Sequence, residues 1–222
     1  MSSLRTPTNA AADARDVDLV SASAALRAEA TKILDADGLR DILAGYGQPE
    51  VTGSYTLDLM TWRDLDNYVL RDGLGIRAFC EMGARIAEEL RPVRMQFRNE
   101  RIGRTPGLPD DGLYWGVYLP PSDTTWKIDI WAVDVEQGRR MIAAHNALKA
   151  RLTPETRRSI LRIKSALCGH ALYRKSFVAL DIYRAVLDDG VRETGAFAAW
   201  LKTDKNVHIQ WPPDLNAGGG HG

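Results

Sequence analysis

The chain has 222 residues, with 29 Lys and Arg against 29 Asp and Glu, and so carries no formal net charge. That balance argues against broad electrostatic adhesion to nucleic acid or to an anionic membrane, so any charge-driven function must come from local clustering. Hydrophobic residues at 45% and charged residues at 26% are globular composition rather than disorder, and no apolar run approaches the roughly 20 residues that span a bilayer.

Residues 1–16 are rich in Ala, Ser, Thr and Asp, lack a hydrophobic signal region and predict a flexible arm on a cytoplasmic protein. Cys80 and Cys168 each lie in a helix-like apolar pattern without paired spacings, which predicts reduced core residues. Residues 17–46 read as helical, with Leu39, Ile42, Leu43 and Tyr46 at i, i+3, i+4, i+7. An extended GQPEVTGS and a brief turn or helix, YTLDLM, follow. RDLDNYVL predicts a strand with Leu65, Asn67 and Val69 on one face and Asp64, Asp66 and Tyr68 on the other. GIRAFCEMGARIAEEL predicts an amphipathic helix with Ile76, Phe79, Cys80, Ile86, Ala87 and Leu90 in its stripe, ended by Pro92.

Three strand-like runs come next: VRMQFRN, LYWGVYLP and TWKIDIWAV. In the second, Leu113, Trp115, Val117 and Leu119 share a face. In the third, Trp126, Ile128 and Ile130 share one face and Lys127, Asp129 and Trp131 the other. From residue 138 the pattern is helical, with Met141, His145, Leu148 and Leu152 on one face. Thr153-Pro154-Glu155 is a start signal, and further helices fit 155–168, 177–188 and 195–202. The predicted fold class is α+β: a mixed β-sheet with flanking helices over 17–137, a C-terminal helical module over 138–215 and a flexible tail over 216–222.

The chemistry-bearing pattern is Gly53-Ser54, nine residues, Asp64-Leu65-Asp66, then Ile128-Asp129-Ile130. Carboxylates at i and i+2 of a strand project from one face and repel unless a cation lies between them. A third carboxylate on a neighbouring strand completes an oxygen set with open positions, which suits Mg²⁺ and substrate phosphates. A Gly-Ser turn leading into a helix presents N–H groups and a hydroxyl to phosphate oxygens.

This ordered pattern resembles the signature of the DNA polymerase β-like nucleotidyltransferase superfamily, over roughly residues 30–136. The resemblance implies Asp64, Asp66 and Asp129 as catalytic metal ligands for two Mg²⁺ ions, with Asp129 close to the acceptor hydroxyl. It places Gly53 and Ser54 at the β- and γ-phosphates of an NTP. Lys127, sharing the face of Asp129, offsets carboxylate charge or touches a phosphate. Lys164, in the basic stretch with Arg162, Arg174 and Lys175, is the candidate second-half contact to the triphosphate, with Tyr173 beside it on base or ribose. Arg63 points away from the acidic pair and is structural or at the substrate rim. Arg98, Arg101 and Arg104 either meet an anionic ligand or form a solvated loop balanced by Asp110 and Asp111, the second being preferred. His145 and His170 read as core or helix-surface residues.

The expected activity is Mg²⁺-dependent transfer of a nucleoside monophosphate from an NTP, ATP among them, to an acceptor hydroxyl, with release of pyrophosphate. The first expectation for the acceptor is a small molecule, since the chain has no excess positive charge and few accessory helices. The alternatives are a toxin-like enzyme modifying tRNA or a protein side chain, and a non-catalytic nucleotide-binding module. No membrane partner is expected.

Overall fold

The computed structural model describes residues 7–120 and 125–211, with side chains from residue 16 onward. The chain divides into two compact units, Ser23–Ala150 and Met1–Ala22 with Arg151–Gly222. This differs from the expected boundary near residue 137, because helix α6 (Val135–Ala150) belongs with the sheet. Gly138 explains why: it is buried, and a Cβ there would run into Leu70 of the sheet, so the helix lies close upon it.

The first unit is a five-stranded mixed sheet in the order β1-β2-β5-β4-β3. Its strands are β1 (Gln48–Val51), β2 (Asp64–Leu70), β3 (Arg94–Asn99), β4 (Leu113–Leu119) and β5 (Trp126–Val133). Only β2 and β5 pair in parallel, and every other neighbouring pair is antiparallel. Helices α1 (Pro7–Thr31), α2 (Leu39–Ala44), α3 (Gly53–Thr56), α4 (Ile76–Leu90) and α5 (Glu100–Gly103) fall before or between the strands. The expected arm is helical from Pro7, since Ala-rich sequence has high helix propensity even without an apolar stripe; residues 1–6 and the tail 216–222 lie outside the described residues. The long helical run of 17–46 is broken by a π-helical turn over Lys32–Ala36 and by Gly38, which takes a left-handed conformation.

Period-2 alternation sets the two sheet faces. Leu65, Val69, Val117, Ile128 and Ile130 are fully buried on one face, in a core with Leu39, Phe79, Met82 and Ile86. The buried stripe of α4 is Phe79, Met82, Gly83 and Ile86, with Ile76 and Cys80 exposed. Gly83 is the reason for the shift, because any Cβ there would meet the Trp115 ring. Cys168 is exposed too, so neither cysteine is a core residue.

The second unit packs helices α7 (Pro154–Leu167), α8 (Ala179–Leu187) and α9 (Thr194–Lys205) through Ile160, Ile163, Leu167, Ile182, Val186, Phe197 and Leu201. Thr153 caps α7 as expected: its hydroxyl accepts from the Thr156 amide at 3.2 Å. Among the described residues, no helix is long and apolar enough to cross a membrane.

Candidate active site

The strands that carry the acidic residues are fixed at their starting ends by one carboxylate. Arg63 donates twice to Glu29 of α1, at 2.8 and 3.0 Å, and Trp126 Nε1 donates to the same Glu29 at 3.2 Å. The Lys127 amide donates to the Arg63 carbonyl at 3.1 Å. The next residues along, Asp64 on β2 and Lys127 on β5, are thereby brought side by side. Arg63 therefore has the structural role that its position on the strand implied.

Strand register then builds three rows across the face opposite the core. Asp64, Lys127, Tyr118 and Arg94 form the first; Asp66, Asp129, Gly116 and Gln96 the second; Tyr68, Trp131, Tyr114 and Arg98 the third. Asp66 is directly opposite Asp129, about 5 Å away at the backbone. The Tyr114 hydroxyl donates to Asp129 Oδ1 at 2.6 Å, and Lys127 Nζ lies 2.5 Å from Asp129 Oδ2 and 3.7 Å from Asp64 Oδ1. Trp62 Nε1 donates to Asp64 Oδ2 at 3.2 Å.

Burial, followed by the charges of Asp66 and Asp129, pushes the Tyr68 phenol up to about 12. Burial first and the hydrogen bond to Asp129 second raise Tyr114 as well, so its hydroxyl stays a donor. Gly116 makes the Tyr114 contact possible. A Cβ there would fall 2.5 Å from the Tyr114 hydroxyl, so the ring folds over a position that only glycine leaves open.

The Gly53-Ser54 turn lies against the second carboxylate. The Thr52 amide donates to the Asp66 carbonyl at 2.9 Å. Gly53, with φ +65°, sits so close that a Cβ would overlap the Asp66 carboxylate. Both the left-handed backbone and the close approach demand glycine. The start of α3, which carries Ser54, therefore lies next to Asp66.

His145 was not identified from the sequence as part of this region. Its Nε2 lies 2.6 Å from Thr56 Oγ1, and that hydroxyl donates to the Gly53 carbonyl at 3.3 Å. Helix α6 therefore braces the glycine turn from behind. The Met141, His145, Leu148 spacing marked a helix face but carried no sign of what that face meets. Burial, with Lys149 second, lowers the His145 pKa.

The donor chemistry fits a hard divalent cation: carboxylate oxygens on adjacent strands, with a glycine turn against one of them. Among the described residues, no three acidic, histidine or cysteine groups converge tightly enough to enclose a metal by themselves. The set is an open one, of the kind that a cation completes with water and substrate oxygens.

Lys164 departs from expectation. It is fully buried in the helical unit, with Nζ 3.3 Å from the Tyr183 hydroxyl. Tyr173 is buried against Phe177 rather than offered to a base. Arg162 is neutralised by Asp16 and Glu193. The loop arginines also differ from the preferred reading. Arg98 pairs with Glu100 at 2.6 Å, and Arg101 donates to the main-chain carbonyls of Asp111 and Leu74. Among the described residues, no ion pair joins them to the carboxylates of Asp110 or Asp111.

No protein-family model matches the chain, and no curated protein matches it in sequence. Solved structures match in shape. One is the Cid1 poly(U) polymerase with Mg and 3′-dATP bound, at 17% identity and a TM-score of 0.52, over 72% of this chain and 48% of that one. The likeness is one of fold, a mixed sheet with flanking helices. A cytoplasmic RNA terminal U-transferase matches at 13% identity and a TM-score of 0.51, over 88% of this chain and 56% of that one. The chain spans about half the length of these two structures.

Proposed function

We propose that the chain is a nucleotidyltransferase that moves a nucleoside monophosphate from an NTP to a hydroxyl of RNA and releases pyrophosphate. The observation that carries this reading is the second row of the sheet face. There Asp66 and Asp129 stand opposite one another and the Gly53-Ser54 turn rests on the Asp66 carboxylate. A non-catalytic module has no need of that arrangement, because clustered carboxylates next to an anion-binding turn are costly without a cation.

RNA replaces the small molecule expected from the charge balance. Two of the structures that the chain resembles are a poly(U) polymerase and an RNA terminal U-transferase, which supports a nucleic-acid acceptor. The zero net charge does not oppose it, since residues 91–104 hold five arginines and a single acid, Glu100.

Asp64, Asp66 and Asp129 would hold divalent cations, Mg²⁺ by their chemistry. Bound there, such ions neutralise phosphate charge and lower the pKa of the acceptor hydroxyl. The protein's own groups supply the positioning. Gly53 and Ser54 hold the terminal phosphates, and His145 keeps their turn in place through Thr56. Asp129, oriented by Tyr114 and Lys127, receives the acceptor hydroxyl and takes its proton. The hydroxyl oxygen bonds to the α-phosphorus as the bond to pyrophosphate breaks.

The test is incubation with each α-³²P-labelled NTP, Mg²⁺ and the small-molecule, RNA and protein fractions of a cell extract. Label is expected in RNA, and Asp66→Asn is expected to abolish it while the far-ultraviolet circular dichroism is retained. Label confined to another fraction would overturn the acceptor, and undiminished labelling by Asp66→Asn would overturn the site.

A further inference from the structure

The catalytic face does not end at its acidic residues. The first row runs from Asp64 and Lys127 through Tyr118 to Arg94 on β3, at the edge of the sheet. The third runs through Tyr114 to Arg98. Between them lies the second row, in which Gly116 and Gln96 separate Asp129 from the edge. Two strand spacings, about 10 Å, separate β5 from β3. Tyr114 folds over Gly116 to reach Asp129, so the second row is covered there, with an arginine-tyrosine pair on either side of it.

The two pairs are not equivalent. Arg98 is tied to the buried carboxylate of Glu100 and lies 5.9 Å from the Tyr114 ring. Arg94 is exposed, and its guanidinium lies 3.8 Å from the Tyr118 ring centroid. Among the described residues no carboxylate pairs with it. Tyr118 supports the guanidinium of a residue that stays exposed. A planar cation held in that way suits a polyanion that also carries flat rings: it accepts a stacked base on its plane and a phosphate on its edge.

We infer that Arg94, seated on Tyr118, is the acceptor-strand contact of the site and binds single-stranded RNA just upstream of the reacting hydroxyl. This rests on the RNA reading above and adds to it a direction: the strand leaves the carboxylates along the row of Tyr118 toward β3. Edge strands also carry charged residues merely to discourage sheet-to-sheet pairing. That role asks for charge on the strand and nothing of RNA, so the two are separable.

The experiment measures anisotropy of a short fluorescein-labelled single-stranded RNA with the full chain in EDTA, alongside affinity for a fluorescent ATP analogue. Arg94→Glu is expected to weaken RNA binding by about tenfold or more while nucleotide affinity stays within about twofold. Arg94→Ala is expected to flatten the log K against log salt slope by about 0.7. Arg77→Glu, on an exposed helix position outside the sheet face, is the control for bulk charge and should change little. If wild type binds and extends RNA and Arg94→Glu does so equally well, the inference fails and the proposed function stands. If RNA binding depends on Arg94 but RNA is never extended, the contact stands and the proposed function fails. A wild type that neither binds nor labels RNA overturns both.

Discussion

Along β2 and β5, residues alternate between two environments. Leu65, Val69, Ile128 and Ile130 are fully buried in an apolar core, whereas Asp64, Asp66, Lys127 and Asp129, between them in sequence, are half-buried and polar. The same backbone hydrogen bonds hold both sets in register. One face supplies the hydrophobic stabilisation, and the other holds like-charged carboxylates together at some cost to it. Substitutions on the two faces should therefore separate activity from stability.

The largest effect expected is that of Asp66→Asn, a loss of about a hundredfold or more in transfer rate. The same variant should melt no lower than wild type in EDTA, and higher if repulsion from Asp129 is the stronger influence there; a lower Tm would mean that Asp66 supports the fold. Ile86→Ala, under the apolar face, should do the reverse. Emptying that fully buried site costs about 2–5 kcal/mol in denaturant unfolding, with transfer per folded molecule nearly unchanged. Gly116→Ala should break the separation, because the new methyl displaces the Tyr114 hydroxyl from Asp129. About 1–3 kcal/mol of strain and a lower transfer rate are expected together, and an effect on only one of them would sever the proposed link between glycine, tyrosine and aspartate.

The smallest effect concerns His145. Its pKa is depressed in the folded chain, so the unfolded chain binds the proton more readily. Its contribution is complete above the ordinary histidine value of about 6.5 and is lost as pH falls through the depressed folded value. His145→Ala should remove that component of the acid slope of stability. It should raise the KM for NTP more than it lowers kcat, since it touches the phosphate turn rather than the reacting atoms.

Much of this site is local in origin and so was legible beforehand. Asp64 and Asp66 share a face because a strand repeats every two residues, and Gly53-Ser54 precedes them at a spacing that a tight turn and a short connection permit. The fate of the basic residues was not local. Lys164 and Arg162 form a conspicuous cluster in sequence, yet one is buried against Tyr183 and the other neutralised by Asp16, some 146 positions away. Arg98, Arg101 and Arg104 looked like a solvated loop because Asp110 and Asp111 are nearby in sequence, but these carboxylates do not pair with them among the described residues. Charge proximity along a chain is a poor guide to charge pairing, since partners are chosen by packing.

Alternation, glycine placement and the three aspartates were enough to determine most element types and the acidic face, because each depends on neighbours within a few residues. The opening balance of 29 against 29 is set by sequence alone as well. Tertiary structure decided where those charges stand. Parallel pairing of β2 with β5 put Asp66 opposite Asp129, antiparallel β3 and β4 aligned Arg94 and Tyr118 with the acidic row, and α6 returned His145 to the glycine turn. Strand order and helix return are long-range choices made by burial of the apolar face, and the polar face is carried into place with it.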